Sequence, residues 1–322
     1  MSERFRTSRA GGEGAIHRIK LSVVINEMAG TLVGVPAAGM VEDLRARFYR
    51  AGAEARIVTT SGERVRTAIR DAAASDADAV VVGGGDGTIA TAAGFLLGTG
   101  KALGLLPLGT MNLLARDLGL PSDMASAVKV LVGGNTRLID VAEVNGHIFL
   151  NNAVLGLYPS LVRARERQRG VPGARKWPAM AAAVYKSLYY YNLIEVEVDL
   201  DLGHGPQLIK TPALAVVNNI YRDRSSAFLE RPALDEGQLG VYVAKHRTRV
   251  GLVGFMIGLV LGGWQQDAEL ECLTMTELSV TSRTRHGLRV SIDGEVVRLS
   301  GPLNFCIRPR ALPVLVPQMP VL

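Results

Sequence analysis

The sequence predicts two domains of different texture: an α/β domain on a parallel sheet, then a mostly antiparallel β-sandwich domain. Three observations predict this. Between Ile19 and about Asp140, apolar strand-like runs alternate with amphipathic helical stretches, the arrangement of βαβ units whose helices cover the sheet. After Asp140 the chain changes to shorter alternating runs joined by turn signals. The length of 322 residues, at about 150 per domain, suits two domains, each able to bury a core without disulfide or metal staples.

The elements follow in order. Residues 1–18 lack the apolar stretch of about 7–15 residues that a secretory signal needs, and read as a disordered basic arm. The α/β domain spans 19–139, with strand candidates IKLSVVI (19–25), ARIVTT (55–60), AVVVG (79–83) and ALGLLP (102–107). Between them, PAAGMVEDLRARFYRAG and SGERVRTAIRDAAAS space their apolar residues by three and four and end on Gly or Ser, as helices do. The β-rich domain spans 140–322, its last segment free to return to the first domain. Its strands are expected in VAEVNGHIFLNNAV, IEVEVDLDL, LIKTPALAVVNN, GVYVAK, LSVTSR and LRVSIDGEVVRLS, with hairpin turns at Asn145-Gly146 and Asp293-Gly294 and helices near 178–192 and 249–264.

Composition excludes several classes. Cys272 and Cys306 are far apart in apolar stretches, which suits reduced, buried thiols in a reducing cytosolic compartment. The longest uncharged apolar run, Val250 to Trp264, would be about 22 Å long as a helix, short of the roughly 30 Å hydrocarbon core. Its glycines at 251, 254, 258 and 262 form one stripe, read as close packing of helix on sheet. The five histidines have no paired spacing with each other or with cysteine, so zinc is not expected. The formal charge of +6 resides in residues 1–20 (net +3) and 163–176 (net +5), on an otherwise nearly neutral chain. No base-stacking aromatic pattern accompanies the arginines, which argues against nucleic acid.

Chemistry concentrates in two glycine signals. In VVVGGGDGTIAT (80–91) an apolar strand runs into Gly83-Gly84-Gly85-Asp86-Gly87-Thr88 and then a helix. Glycines there allow close approach of backbone to ligand, and a helix N-terminus offers N–H groups to phosphate oxygens; the alternative is a plain strand-to-helix turn with Asp86 as N-cap. The spacing is neither G-x-G-x-x-G nor a P-loop. A second turn, PLGTMNLLAR (107–116), follows the next strand and in a parallel sheet would lie beside the first, at the strands' carboxyl ends.

GGDGT followed by PLGTMNLLARDLGLP resembles the diacylglycerol kinase catalytic domain family, which includes soluble bacterial diacylglycerol kinases, YegS-like lipid kinases and sphingosine kinases. The resemblance continues through TRLIDVAEVNGHIFLNNAVLGL, LAVVNN, ALDEGQL and VSIDGE. It implies an α/β nucleotide-binding domain, a β-sandwich domain, and transfer of phosphate from ATP, with Mg2+, to a lipid hydroxyl. Motif by motif it places the nucleotide site at Asn26, Gly30, Thr59, Gly84, Gly85, Asp86, Gly87, Thr88 and Thr110. It makes Glu295 the proton acceptor, Asp86 the carboxylate that orients the reacting groups, and Glu236 with Asp235 a metal site. The chain departs from the family pattern at Glu27, at Leu113 and at Glu236, where members have Pro, often Asp, and Asp. A kinase of a soluble hydroxyl compound and a non-catalytic nucleotide- or lipid-binding module remain open as alternatives.

A lipid kinase must draw its substrate from a bilayer. RARERQRGVPGARKWP (163–178) sets six cations beside Trp177, the composition of an interfacial patch for anionic lipid. The expectation is a cytoplasmic, peripherally membrane-associated enzyme, with a homodimer left open.

Overall fold

A computed structural model describes residues 18–30, 32, 37–156, 193–199, 205–221, 231–252, 254–255, 267–282 and 287–318. The arginine-rich segment 163–176, the helix expected at 178–192, the N-terminal arm and most of 250–264 lie outside the described residues. The chain divides into two compact units, Met1–Ile139 with Ala311–Leu322, and Asp140–Arg310.

In the first unit the strands are β1 (Ile19–Asn26), β2 (Ala53–Thr60), β3 (Ala79–Gly83) and β4 (Ala102–Leu106), in the order β2-β1-β3-β4 and all parallel. β1 pairs with β2 on one side and β3 on the other, so the chain reverses its winding between β1 and β3. That is the switch point outside which open α/β sheets bind ligands. Helices α1 (Ala37–Ala51) and α5 (Met124–Gly133) bury Leu44, Phe48, Val128 and Leu131 against Leu21, Val23, Ile25 and Val81. α2 (Arg64–Ala74) and α3 (Asp86–Leu96) bury Ile69 and Ile89, Ala93 and Leu96 respectively. Strands buried on both faces explain the near-continuous apolar runs of β3 and β4.

The second unit is a sandwich. One antiparallel sheet runs β12 (Leu270–Met275), β11 (Leu239–Ala244), β10 (Ala213–Asn218), β7 (Asn152–Gly156), β14 (Leu288–Ile292), β15 (Glu295–Leu299). Facing it are β8 (Ile194–Asp199), β9 (Gln207–Thr211), β13 (Glu277–Ser282) and the first part of β16 (Leu303–Val316), joined by the hairpin of β5 (Asn135–Val144) and β6 (His147–Phe149). Leu155, Val216, Val241 and Val290 from one layer meet Val198, Val280, Leu303 and Phe305 from the other. Both predicted hairpin turns have left-handed φ at each central residue, 46° and 82° at Asn145-Gly146 and 44° and 88° at Asp293-Gly294, which Asn, Asp and Gly tolerate.

Sequence texture misleads at two places, the prolines of the last strand and the cysteines. β16 carries Pro309 and Pro313, which demote a run as a strand. The strand tolerates them because it departs from regular pairing at Arg310 (φ 50°), and its last part meets β4 at Val314–Leu103. The cysteines are free but not both buried: Cys272 is exposed on the edge strand β12, and Cys306 is half-buried because period-2 alternation gives the core Phe305 instead. Of the glycine stripe, a Cβ on Gly251 would come 3.1 Å from Glu269 and Thr248, and one on Gly254 would meet no atom of the described residues within 4 Å; Gly258 and Gly262 lie outside the described residues. Among the described residues no helix is long and apolar enough to cross a membrane.

Candidate active site

The first unit gathers its predicted residues at the carboxyl ends of β1 and β3. Asn26, the last residue of β1, donates from Nδ2 to Thr88 Oγ1 at 3.2 Å, and its Oδ1 accepts the Met28 N–H, which turns the chain toward Gly30. Thr59 pairs with Ile25 beside them, and Gly83 pairs with Ile25 from the other side. The second glycine turn lies against the first, as predicted. A Cβ on Gly109 would come 2.9 Å from Gly85 Cα and 3.1 Å from Gly84 O, and one on Gly30 would strike the Thr110 hydroxyl. Gly84 is equally constrained, its absent side chain replaced by that of Thr88.

Gly85 differs. It is the N-cap of α3, its backbone is extended (φ −84°, ψ 175°), and among the described residues no side chain caps the helix and no atom lies within 4 Å of a Cβ placed there. The helix therefore starts at an open surface, with backbone N–H groups and the positive end of the helix dipole toward it. Asp86 is not the N-cap that a plain turn would make of it. It is the first helical residue, and its Oδ1 accepts the Leu113 N–H at 3.0 Å, so it caps α4 (Leu113–Asp117) from another element and ties the two glycine turns together. Gly87 follows it in the first turn of α3.

Asn112, which the motif reading passed over, closes the second turn. In left-handed conformation (φ 49°), it donates from Nδ2 to Gly109 O at 2.9 Å and Pro107 O at 3.3 Å, and its buried Oδ1 has no hydrogen-bond partner among the described residues.

The second unit presents Glu295 as the exposed first residue of β15, directly after the Asp293-Gly294 turn. Asp293 holds that turn in place: its carboxylate accepts the N–H groups of Leu150, Asn151 and Asn152 at 2.8, 2.9 and 3.0 Å. Burial pushes its carboxyl up to about 6, while the three amides and the nearby Arg231 pull it down.

Asp235 and Glu236 lie half-buried on the loop before β11. The loop is pinned by side chains that sequence reading did not single out: Glu236 N–H donates to Asn219 Oδ1, and Gly237 N–H to the fully buried Asp140, whose other oxygen accepts the Arg310 N–H at 2.7 Å. Of these anchors, Asn219 has a sequence signal in the Asn pair that ends AVVNN, and Asp140 has none. Among the described residues no three His, Cys, Asp or Glu side chains cluster closely enough to hold a metal by themselves. Magnesium does not need such a cage, since it binds through one or two carboxylates with phosphate oxygens and water, and two hard carboxylates on one turn fit that mode.

The diacylglycerol kinase catalytic domain matches residues 20–144. The chain is 31% identical over 266 residues to the "Probable lipid kinase YegS-like" protein of Pseudomonas aeruginosa, covering 81% of this chain and 83% of that one. It is 28% identical over 321 residues to the diacylglycerol kinase of Mycobacterium tuberculosis, covering 96% and 99%. A crystal structure of a diacylglycerol kinase from Bacillus anthracis superposes with a TM-score of 0.68 at 18% identity, over 94% of this chain and 98% of that one, a likeness of fold.

Proposed function

The chain belongs to the diacylglycerol kinase catalytic domain family, and from that premise we propose that it transfers the γ-phosphoryl group of ATP to a hydroxyl of diacylglycerol or a related lipid. The observation that carries this reading is the open Gly85 at the uncapped start of α3, flanked by glycines whose side-chain space the protein itself fills. Of Gly30, Gly84, Gly85 and Gly109, Gly85 alone has no atom of the described residues in its side-chain space, and a helix N-terminus suits a phosphate.

Phosphoryl transfer is mostly positioning and charge neutralisation. Backbone N–H groups of Gly84 to Thr88 would receive ATP phosphate oxygens, with Asn26, Gly30, Thr59 and Thr110 shaping the same surface. Asp86 keeps the two glycine turns in register and so orients the reacting groups. Glu295, exposed on a turn fixed by Asp293, would take the proton of the lipid hydroxyl as its oxygen bonds to the γ-phosphorus and the bond to the β-phosphate oxygen breaks, releasing ADP. Asp235 and Glu236 would hold Mg2+, which neutralises phosphate charge.

Substrate access is proposed to come through the arginines of 163–176 at an anionic membrane. Neutralising Arg163, Arg165, Arg167 and Arg169 should release the protein from sedimenting vesicles of phosphatidylglycerol and phosphatidylcholine; unchanged sedimentation removes the patch from the account. The function itself is tested by offering labelled ATP with diacylglycerol, sphingosine, ceramide and NAD in parallel. Label in a lipid product supports the reading, label in NAD points to a soluble-substrate kinase, and ATP binding without transfer points to a non-catalytic module.

A further inference from the structure

Outside the reacting groups, the second unit buries one arginine whose hydrogen bonds join both functional turns. Arg231 is 2% exposed. One terminal nitrogen of its guanidinium donates to the carbonyls of Leu150 and Asn218, and the other to Asn151 Oδ1 at 2.8 Å. Leu150 and Asn151 are two of the three residues whose amides hold Asp293, and hence the turn leading into Glu295. Asn218 connects to the other turn: its Nδ2 donates to the carbonyls of Asp140 and Leu150, and Asp140 with Asn219 anchors the amides of Gly237 and Glu236. Burying a guanidinium is costly unless its donors are satisfied, and an apolar side chain would serve packing alone as well or better. What an apolar residue could not do is bridge the two anchors with a rigid planar fork.

We propose that Arg231 is a positioning residue, which fixes the spacing between the turn presenting Glu295 and the turn carrying Asp235 and Glu236 without touching substrate. This rests on the kinase reading above, but the coupling can be measured without turnover. Arg231 also acts as a positive charge on Asp293, lowering its carboxyl together with the three amides.

The test compares full-length wild type, Arg231→Gln and Arg231→Lys. In Arg231→Gln, hydrogen exchange should quicken about tenfold or more at the amides of Leu150, Asn151 and Asn152 and at those of Glu236 and Gly237 together, while amides of the first unit keep their rates. Loosening of one turn alone, or of neither, overturns the proposal. Should Arg231→Gln not fold, Asn218→Ala removes the second bridge and is judged by the same two sets of amides. In phosphoryl transfer, Arg231→Gln should lower kcat about 10- to 100-fold with KM for ATP unchanged. The acid limb of kcat should move to higher pH as Asp293 loses its cation, and Arg231→Lys, which keeps the charge, should restore the limb more fully than the rate. A variant that is merely less stable, with kcat and pH profile unaltered per folded molecule, contradicts a positioning role. A wild type inactive on every lipid would sink the kinase reading, and the exchange experiment would still decide the coupling.

Discussion

The two units build their candidate functional residues by opposite means. In the first unit the geometry comes from missing side chains: Gly30, Gly84 and Gly109 let backbone pack on backbone, and Gly85 leaves a surface open. In the second it comes from polar side chains, with the buried Asp140, Asn151, Asn218, Asn219 and Arg231 and the half-buried Asp293 holding backbone turns at fixed places. The difference teaches where each is fragile. A glycine site fails when something is added, and a polar network fails when something is removed.

The largest expected effect breaks the polar part. Asp140→Ala removes the buried carboxylate that accepts the amides of Gly237 and Arg310 and should cost about 2–5 kcal/mol, read as a lowered urea midpoint at unchanged slope; a cost below that of an ordinary surface substitution would mean the network is ornamental. Next, the glycine part should respond unevenly. Gly109→Ala forces its Cβ within 2.9 Å of Gly85 Cα and should cost about 1–3 kcal/mol, whereas Gly85→Ala should leave the melting temperature alone and weaken ATP binding. If Gly85→Ala binds ATP normally, the open surface is not the phosphate site.

The smallest effect is one of pH. The carboxyl of Asp293 in the folded chain lies at about 6, above the ordinary value near 3.9 of an unfolded aspartate, so its contribution to stability is fully present below about pH 4 and is lost as pH rises through about 6. Asp293→Asn tolerates the left-handed φ of 44° and does not titrate. The stability advantage of wild type over this variant should therefore shrink between pH 4 and about 6.5, and a constant difference would place the charge elsewhere.

The same contrast explains what was legible in the sequence. Asn26, Gly84, Asp86 and Thr88 announce themselves because each is a short local pattern at the end of an apolar strand, and the parallel sheet then brings those ends together. The Asp293-Gly294 and Asn145-Gly146 turns were readable for the same reason. Asp293 itself looked like a hairpin residue and no more, because the amides it holds lie 141–143 residues away. Asp140 passed as a domain boundary and Arg231 as one arginine among many, since nothing local marks a charge as buried. β16 was hidden by its prolines.

The central claim is that Glu295 serves as base in phosphoryl transfer from ATP to a lipid. Its most direct test is incorporation of γ-labelled phosphate into the organic-extractable fraction from diacylglycerol micelles, comparing wild type with Glu295→Gln. The account predicts transfer by wild type and a loss of about 10²- to 10⁴-fold in kcat for the variant, with ATP binding retained. Equal labelling by the two proteins, or no lipid labelling by wild type, would contradict it.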